Sequence, residues 1–163
     1  MSLVIYIISA VAAFVFMEGI AWFAHKYIMH GFLWRLHKDH HQPHESFFEK
    51  NDFFFLIFAI PGWLCIMLGW RVENWIVVSI GCGITIYGLA YFLVHEIIIH
   101  QRFKLFAKSN NRYIKAMRWA HKMHHRHLNK EDGESFGMLF VAKKYWDKIK
   151  RDELIKHAAS RVR

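Results

Sequence analysis

Cysteine is scarce in this chain: Cys65 and Cys82 are the whole supply, both inside apolar runs and without metal-ligand spacing. A disulfide framework and a thiolate metal site are therefore excluded, and packing is the role left for both. Two prolines and nine glycines are too few for a fibrous chain. No lysine or arginine precedes residue 26. The first apolar run offers small residues at Ala10, Ala12 and Ala13 but lacks the basic start of a signal peptide, so it is expected to remain as a transmembrane helix. Charge is missing altogether from residues 53–70 and 75–94, and residues 3–24 carry only Glu18.

What is present is apolar and aromatic. Of 163 residues, 55% are hydrophobic and 17% aromatic, which excludes a disordered chain. The runs 3–24, 53–70 and 75–94 are each long enough to cross a hydrocarbon core of about 30 Å at about 1.5 Å per residue. The expectation is a single-domain, all-α integral membrane protein (residues 1–163) with three to four transmembrane helices. Pro61-Gly62 leaves open a kink or a shallow re-entrant hairpin in the second run. Residues 1–100 hold 5 Lys/Arg and 7 Asp/Glu, whereas 101–163 hold 17 and 6. The positive-inside rule then puts segments 25–52 and 95–163 on the cytosolic side, and the N-terminus with residues 71–74 outside. The cationic excess is read as a surface for lipid headgroups or for an acidic electron donor, with no nucleic-acid partner. Residues 112–127 read as a helix, and about 141–157 as a basic amphipathic helix lying on the membrane, with Tyr145, Trp146 and Ile149 on one side.

Thirteen residues are histidine, and ten fall in a duplicated pattern. His25 and His30 form HX4H, and His37, His40 and His41 form HX2HH. The pattern returns as His95 and His100, then His121, His124 and His125. One set follows the first span and the other the third, so topology brings all ten to one membrane face. At 100° per residue the three histidines of HX2HH share roughly one quadrant of a helix. Those of HX4H are about 140° apart, which suits two different metals or a helix that ends between them. Ten imidazoles exceed the four ligands of a structural zinc and the three of a catalytic one, so two metals are expected. A histidine-dominated pair of iron ions is the expected centre, with zinc as a possible substitute. His44, His127 and His157 lie outside the spacing and are not expected to ligate.

Carboxylates near these motifs are few: Glu18, Asp39 and Glu96, with Glu45 and Glu49 further on. A charge inside a span costs a few kcal/mol, about 3 on insertion scales, and marks function by default. Glu18 lies seven residues before His25, on nearly the same helix face. Glu18, Asp39 and Glu96 are candidates to steady a ligating histidine from behind; the alternatives are a proton route or a helix-packing anchor for Glu18, and a solvent-facing position for Asp39 and Glu96. Asn51-Asp52 precedes the second span and reads most simply as a helix cap.

The four histidine motifs on membrane helices resemble the fatty-acid hydroxylase and sterol desaturase superfamily, and within it the bacterial β-carotene hydroxylases. The similarity rests on Glu18 to His41, on Phe48 to Asp52, on His95 to Phe103, and on Ala120 to His125 with Ser135-Phe136-Gly137. It covers most of residues 14–140; beyond Phe140 the sequence diverges and no role carries over. The resemblance implies a non-haem di-iron monooxygenase with the ten histidines as ligands. It implies hydroxylation of the β-ionone rings of β-carotene at C3, through β-cryptoxanthin to zeaxanthin, using O2 and electrons from a ferredoxin-type donor. A related enzyme acting on a sterol, a fatty acid or another carotenoid would share the same metal core. A metal transporter would spread polar groups through the bilayer's depth, where the spans offer only Glu18. A bis-His haem protein needs two to four histidines, and neither alternative explains a duplicated pattern.

Overall fold

The computed structural model describes residues 2–42 and 48–161, and every regular element among them is helical. Pro43, His44 and Glu45 lie outside the described residues. Helix α1 (Leu3–Phe23) continues into a wider helical segment, Ala24–Phe32, which kinks at Gly31 before α2 (Trp34–His41). A 3-10 turn, Lys50–Phe54, leads into α3 (Phe55–Arg71). Helix α4 (Trp75–Phe92) also ends in a wider segment, Leu93–Ile99, and α5 (Arg112–His125) and α6 (Lys143–Ser160) follow.

Three helical stretches are long and apolar enough to cross a membrane: Leu3–Phe32, Lys50–Arg71 and Trp75–Ile99. They are apolar all round, with Ile7, Val11 and Phe16 on α1 and Trp63, Met67 and Trp70 on α3 left exposed. Water tolerates no such surface on a monomer, whereas lipid covers it. The chain is a membrane protein. The first and third stretches outrun their apolar runs by the turns that carry HX4H. Pro61 does not interrupt α3, so the hairpin left open by the sequence is not formed.

Helix α4 is the centre of the bundle and packs on both α1 and α3. It achieves this through small residues, as helices in lipid generally do. A Cβ at Gly83 would collide with the carbonyl of Ala10, and one at Gly81 would lie 2.8 Å from the Gly62 carbonyl oxygen. Towards the histidine end the packing becomes larger and tighter, with Met17, Ala21, Phe58 and Tyr87 forming a buried cluster.

Outside the spans, α6 closes over α5. Tyr145 and Ile149 are buried against Ala116 and Ala120 of α5, and Trp146 lies 5.8 Å from Tyr113 ring to ring. The apolar side of α6 that the sequence suggested for the membrane surface is thus occupied by α5. The amphipathic pattern was real, but it was addressed to a helix.

Candidate metal centre

The two widened segments decide how the histidines meet. In an α-helix residues five apart diverge, but the i→i+5 bonding of a π-helix brings them back onto one face. The His100 N–H donates to the His95 carbonyl at 2.9 Å, closing such a turn, and Leu33 N–H does the same to Ile28 at 3.0 Å. His25 and His30 accordingly stand 5.4 Å apart ring to ring, and His95 and His100 4.5 Å. The divergence expected of an HX4H pair holds for an α-helix, and these two segments are π-helical instead.

The ten histidines gather in two groups. His25, His30, His37, His41 and His124 bring ring nitrogens within 4.8 Å of one another, as do His40, His95, His100 and His121. His125 joins the second group, its Nε2 2.7 Å from that of His121. In each HX2HH the outer two histidines, one turn apart, stay together. The middle one crosses over: His40 leaves α2's group to meet His95, and His124 leaves α5's group to meet His30, at 3.1 and 3.3 Å between Nε2 atoms. The single quadrant expected for HX2HH is therefore split, because the middle ring lies on the edge of the face and the other group lies beside it.

Seven of the ten rings are gripped at Nδ1 by oxygen. In the first group His25, His30, His41 and His124 donate to the backbone carbonyls of Phe136, Lys130, His127 and Glu134 at 2.8–3.1 Å, and His37 donates to Asn51 Oδ1 at 2.6 Å. In the second group His40 donates to Glu49 Oε2 at 2.6 Å and His95 to Glu96 Oε1 at 2.5 Å. A proton fixed on Nδ1 leaves a bare lone pair on Nε2. Yet Nε2 of His37 sits 3.2 Å from that of His25 and 3.1 Å from that of His41. Lone pairs facing each other at such distances, with no proton between them, repel unless a cation lies among them. This donor set fits a metal ion, and imidazole nitrogen suits Fe, Zn, Cu and Ni.

Burial keeps seven of these rings neutral and ready to ligate. It is the largest cause lowering His37 and His124 to about 2, His100 to about 3 and His41 to about 4, with neighbouring imidazoles adding to it. His40, His121 and His125 are lowered in the same way. Competition from protons for the lone pairs is therefore absent at neutral pH.

The carboxylates singled out from sequence divide. Glu96 holds His95 and also meets Arg102 Nε at 2.7 Å. Asp39 accepts from Lys50 N–H at 2.7 Å and meets no histidine among the described residues. Glu18, buried at 6% exposure, accepts from Tyr87 Oη at 2.8 Å and from the backbone N–H groups of Met138, Leu139 and Phe140 at 2.8–3.3 Å. Among the described residues it meets no histidine ring, but it ties down the segment whose Phe136 carbonyl holds His25. Glu49 and Asn51 proved nearer the rings than their sequence context suggested. Asn51 serves His37, while Asp52 closes a capping box with Glu49. Among the histidines outside the motifs, His127 contributes only its carbonyl, and His157 is exposed on α6.

One cavity borders the residues that hold the rings, and another exposes the rings themselves. An apolar cavity of about 440 Å³ is walled by Phe54, Phe58, Leu89, Tyr91 and Phe92, with Asn51, Glu96 and Arg102 at its polar end. Tyr91 stacks on His95 at 5.2 Å. A polar cavity of about 450 Å³ exposes edges of His40, His100, His121 and His125 beside Arg118 and Lys122.

Several named proteins are similar to this chain over most of its length. A beta-carotene hydroxylase of Pseudescherichia vulneris is 42% identical over 139 residues, covering 85% of this chain and 76% of its own. One of Pantoea ananas is 44% identical over 125 residues (77% and 71%), and one of a Paracoccus strain 36% over 146 residues (87% and 86%). No solved structure matches the chain. The model of the fatty acid hydroxylase family spans residues 10–151, from within α1 into α6, and so takes in all ten clustered histidines. With that coverage and those relatives, the chain belongs to the fatty acid hydroxylase family.

Proposed function

We propose that this protein hydroxylates C3 of the β-ionone rings of β-carotene, giving zeaxanthin through β-cryptoxanthin. The ten histidines would hold two iron ions, five to each. The observation that carries the reading is the apolar cavity between the spans that ends against Tyr91 and the carboxylate holding His95. Its walls include exposed Phe55, Leu89 and Phe92 on the spans, so a hydrocarbon dissolved in the bilayer reaches it without crossing water. Relatives named for β-carotene hydroxylation support the substrate.

Attack on an unactivated ring C–H bond is beyond any side chain, and a redox-active metal pair supplies the O2 chemistry when bound. Zinc, having no redox chemistry, could occupy the site but not serve it. The chain's own residues do the rest. The Nδ1 acceptors fix seven of the ten rings so that Nε2 faces inward, burial keeps His37, His41, His100 and His124 neutral, and Phe54, Phe58 and Phe92 hold the substrate's ring in a dry slot. Each hydroxylation takes one O2, two electrons and two protons; one oxygen enters the substrate and the other leaves as water. We assign the electrons to a ferredoxin-type donor approaching the polar cavity, whose cationic rim at Arg118 and Lys122 supports an acidic partner. The lysine and arginine bias of the flanks supports an inner-membrane protein with its N-terminus outside and its histidines facing the cytosol.

The test is a pigment profile of bacteria that accumulate β-carotene, with and without this gene. Zeaxanthin is expected with the wild type, and only β-carotene with His40→Ala or His121→Ala. Unchanged β-carotene in cells whose membranes contain the iron-loaded protein would overturn the carotenoid substrate and turn attention to sterols and acyl lipids.

A further inference from the structure

The two histidine groups are alike in ligands but not in what stands behind them. Every Nδ1 partner in the first group is neutral: four backbone carbonyls and the Asn51 amide. In the second group both partners of this kind are carboxylates, Glu49 behind His40 and Glu96 behind His95. Arg102 gathers the two carboxylates. Its Nε lies 2.7 Å from Glu96 Oε2, and its Nη2 lies 2.9 Å from Asp52 Oδ1 and 3.6 Å from Glu49 Oε1. Among the described residues three carboxylates meet this one guanidinium, and the Nδ1 partners behind the second group are charged where those behind the first are not. Glu49, Glu96 and Arg102 are all withdrawn from solvent, with side chains 10–16% exposed.

We propose that Glu49 and Glu96, held in register by Arg102, make the two metal sites electronically unequal, strengthening the hold on the ion among His40, His95, His100, His121 and His125 and favouring its oxidised state. A carboxylate accepting the Nδ1 proton pushes electron density through the imidazole and makes Nε2 a stronger donor; a carbonyl does this less. A stronger donor set binds a divalent cation more tightly and stabilises its higher charge. Glu49 and Glu96 are positioning residues in this scheme, since each acts through a histidine.

The inference rests on the two-ion reading above, and one experiment separates the two. The purified protein in detergent is loaded anaerobically with Fe(II), and iron retained per chain is followed against increasing concentrations of a chelator. The wild type is expected to hold two ions. Glu49→Gln and Glu96→Gln keep an oxygen acceptor for Nδ1 but remove its charge. Each should weaken one ion by about 10- to 100-fold and leave the other unmoved. The affected ion should be the one missing from His121→Ala and retained by His25→Ala. Two ions weakened together, or neither weakened, in both glutamine variants would overturn the inequality and leave the two-ion reading standing. Fewer than two ions in the wild type would overturn that reading itself, and the inequality with it. A general loosening of the fold would move both ions, so the selectivity distinguishes charge from structure.

Discussion

Glu18 puts four hydrogen bonds on one buried carboxylate, three of them from consecutive backbone N–H groups of residues 138–140. Removing it leaves the buried Met138 N–H and Tyr87 hydroxyl unanswered, at about 1–3 kcal/mol each before relaxation, and frees two further N–H groups that are half-buried. Glu18→Ala should lower stability by about 3 kcal/mol or more, read as the thermal midpoint in detergent. It should also loosen metal from the His25 group, whose carbonyl acceptors lie just upstream of the anchored residues. Asn51→Ala removes the acceptor for His37, and about 10- to 100-fold weaker metal binding at that group is expected from equilibrium titration. Glu18 was legible in the sequence because a lone charge in a span is conspicuous. Asn51 was not: beside Asp52 and ahead of an apolar run it looks like a cap, and its contact with His37 depends on how the intervening chain folds back. The ligand histidines were legible by repetition, whereas the carbonyls behind them carry no side-chain signature at all.

Among the helices, the sequence revealed which segments are helical but not where the helix changes pitch. Hydropathy marks the three spans, since lipid demands apolar surface on every side. It says nothing of Ala24–Phe32 and Leu93–Ile99, where one additional residue per turn aligns histidines five apart. Apolar periodicity likewise showed that α6 has a face to bury and left its partner, α5, undetermined. The contact between α1 and α4 depends on a residue that hydropathy barely registers. Gly83→Val should destabilise the bundle by about 1–3 kcal/mol, because the added side chain meets the Ala10 backbone rather than a yielding side chain. Chemical denaturation in detergent micelles checks this, with Gly88→Ala as the control, since a Cβ there meets nothing within 4 Å.

Across the protein, the buried imidazoles make acid the natural enemy of the fold. Once unfolded, each histidine regains a pKa near about 6.5. Below that pH the unfolded chain takes up protons that the folded chain refuses, down to about 4 at His41 and about 3 at His100. Stability is therefore full above about pH 6.5 and is lost as pH falls through the window towards 3. The thermal midpoint of the metal-free protein should drop steadily on acidification below about pH 6.5; a flat profile would mean that the imidazoles are solvated.

The exchange of His40 and His124 between the two groups also has a consequence for biosynthesis. Residues reach the membrane in order, N-terminal first. When the first span and both of its histidine motifs have emerged, the His25 group still lacks His124, 83 residues beyond His41. The other group waits for His121 and His125. A five-histidine nest at either position thus exists only after the ribosome has passed the last motif and the two halves have found each other. Loading of metal becomes a late event that certifies a finished, correctly threaded chain, and a truncated product is left without a complete nest in which to trap a reactive ion.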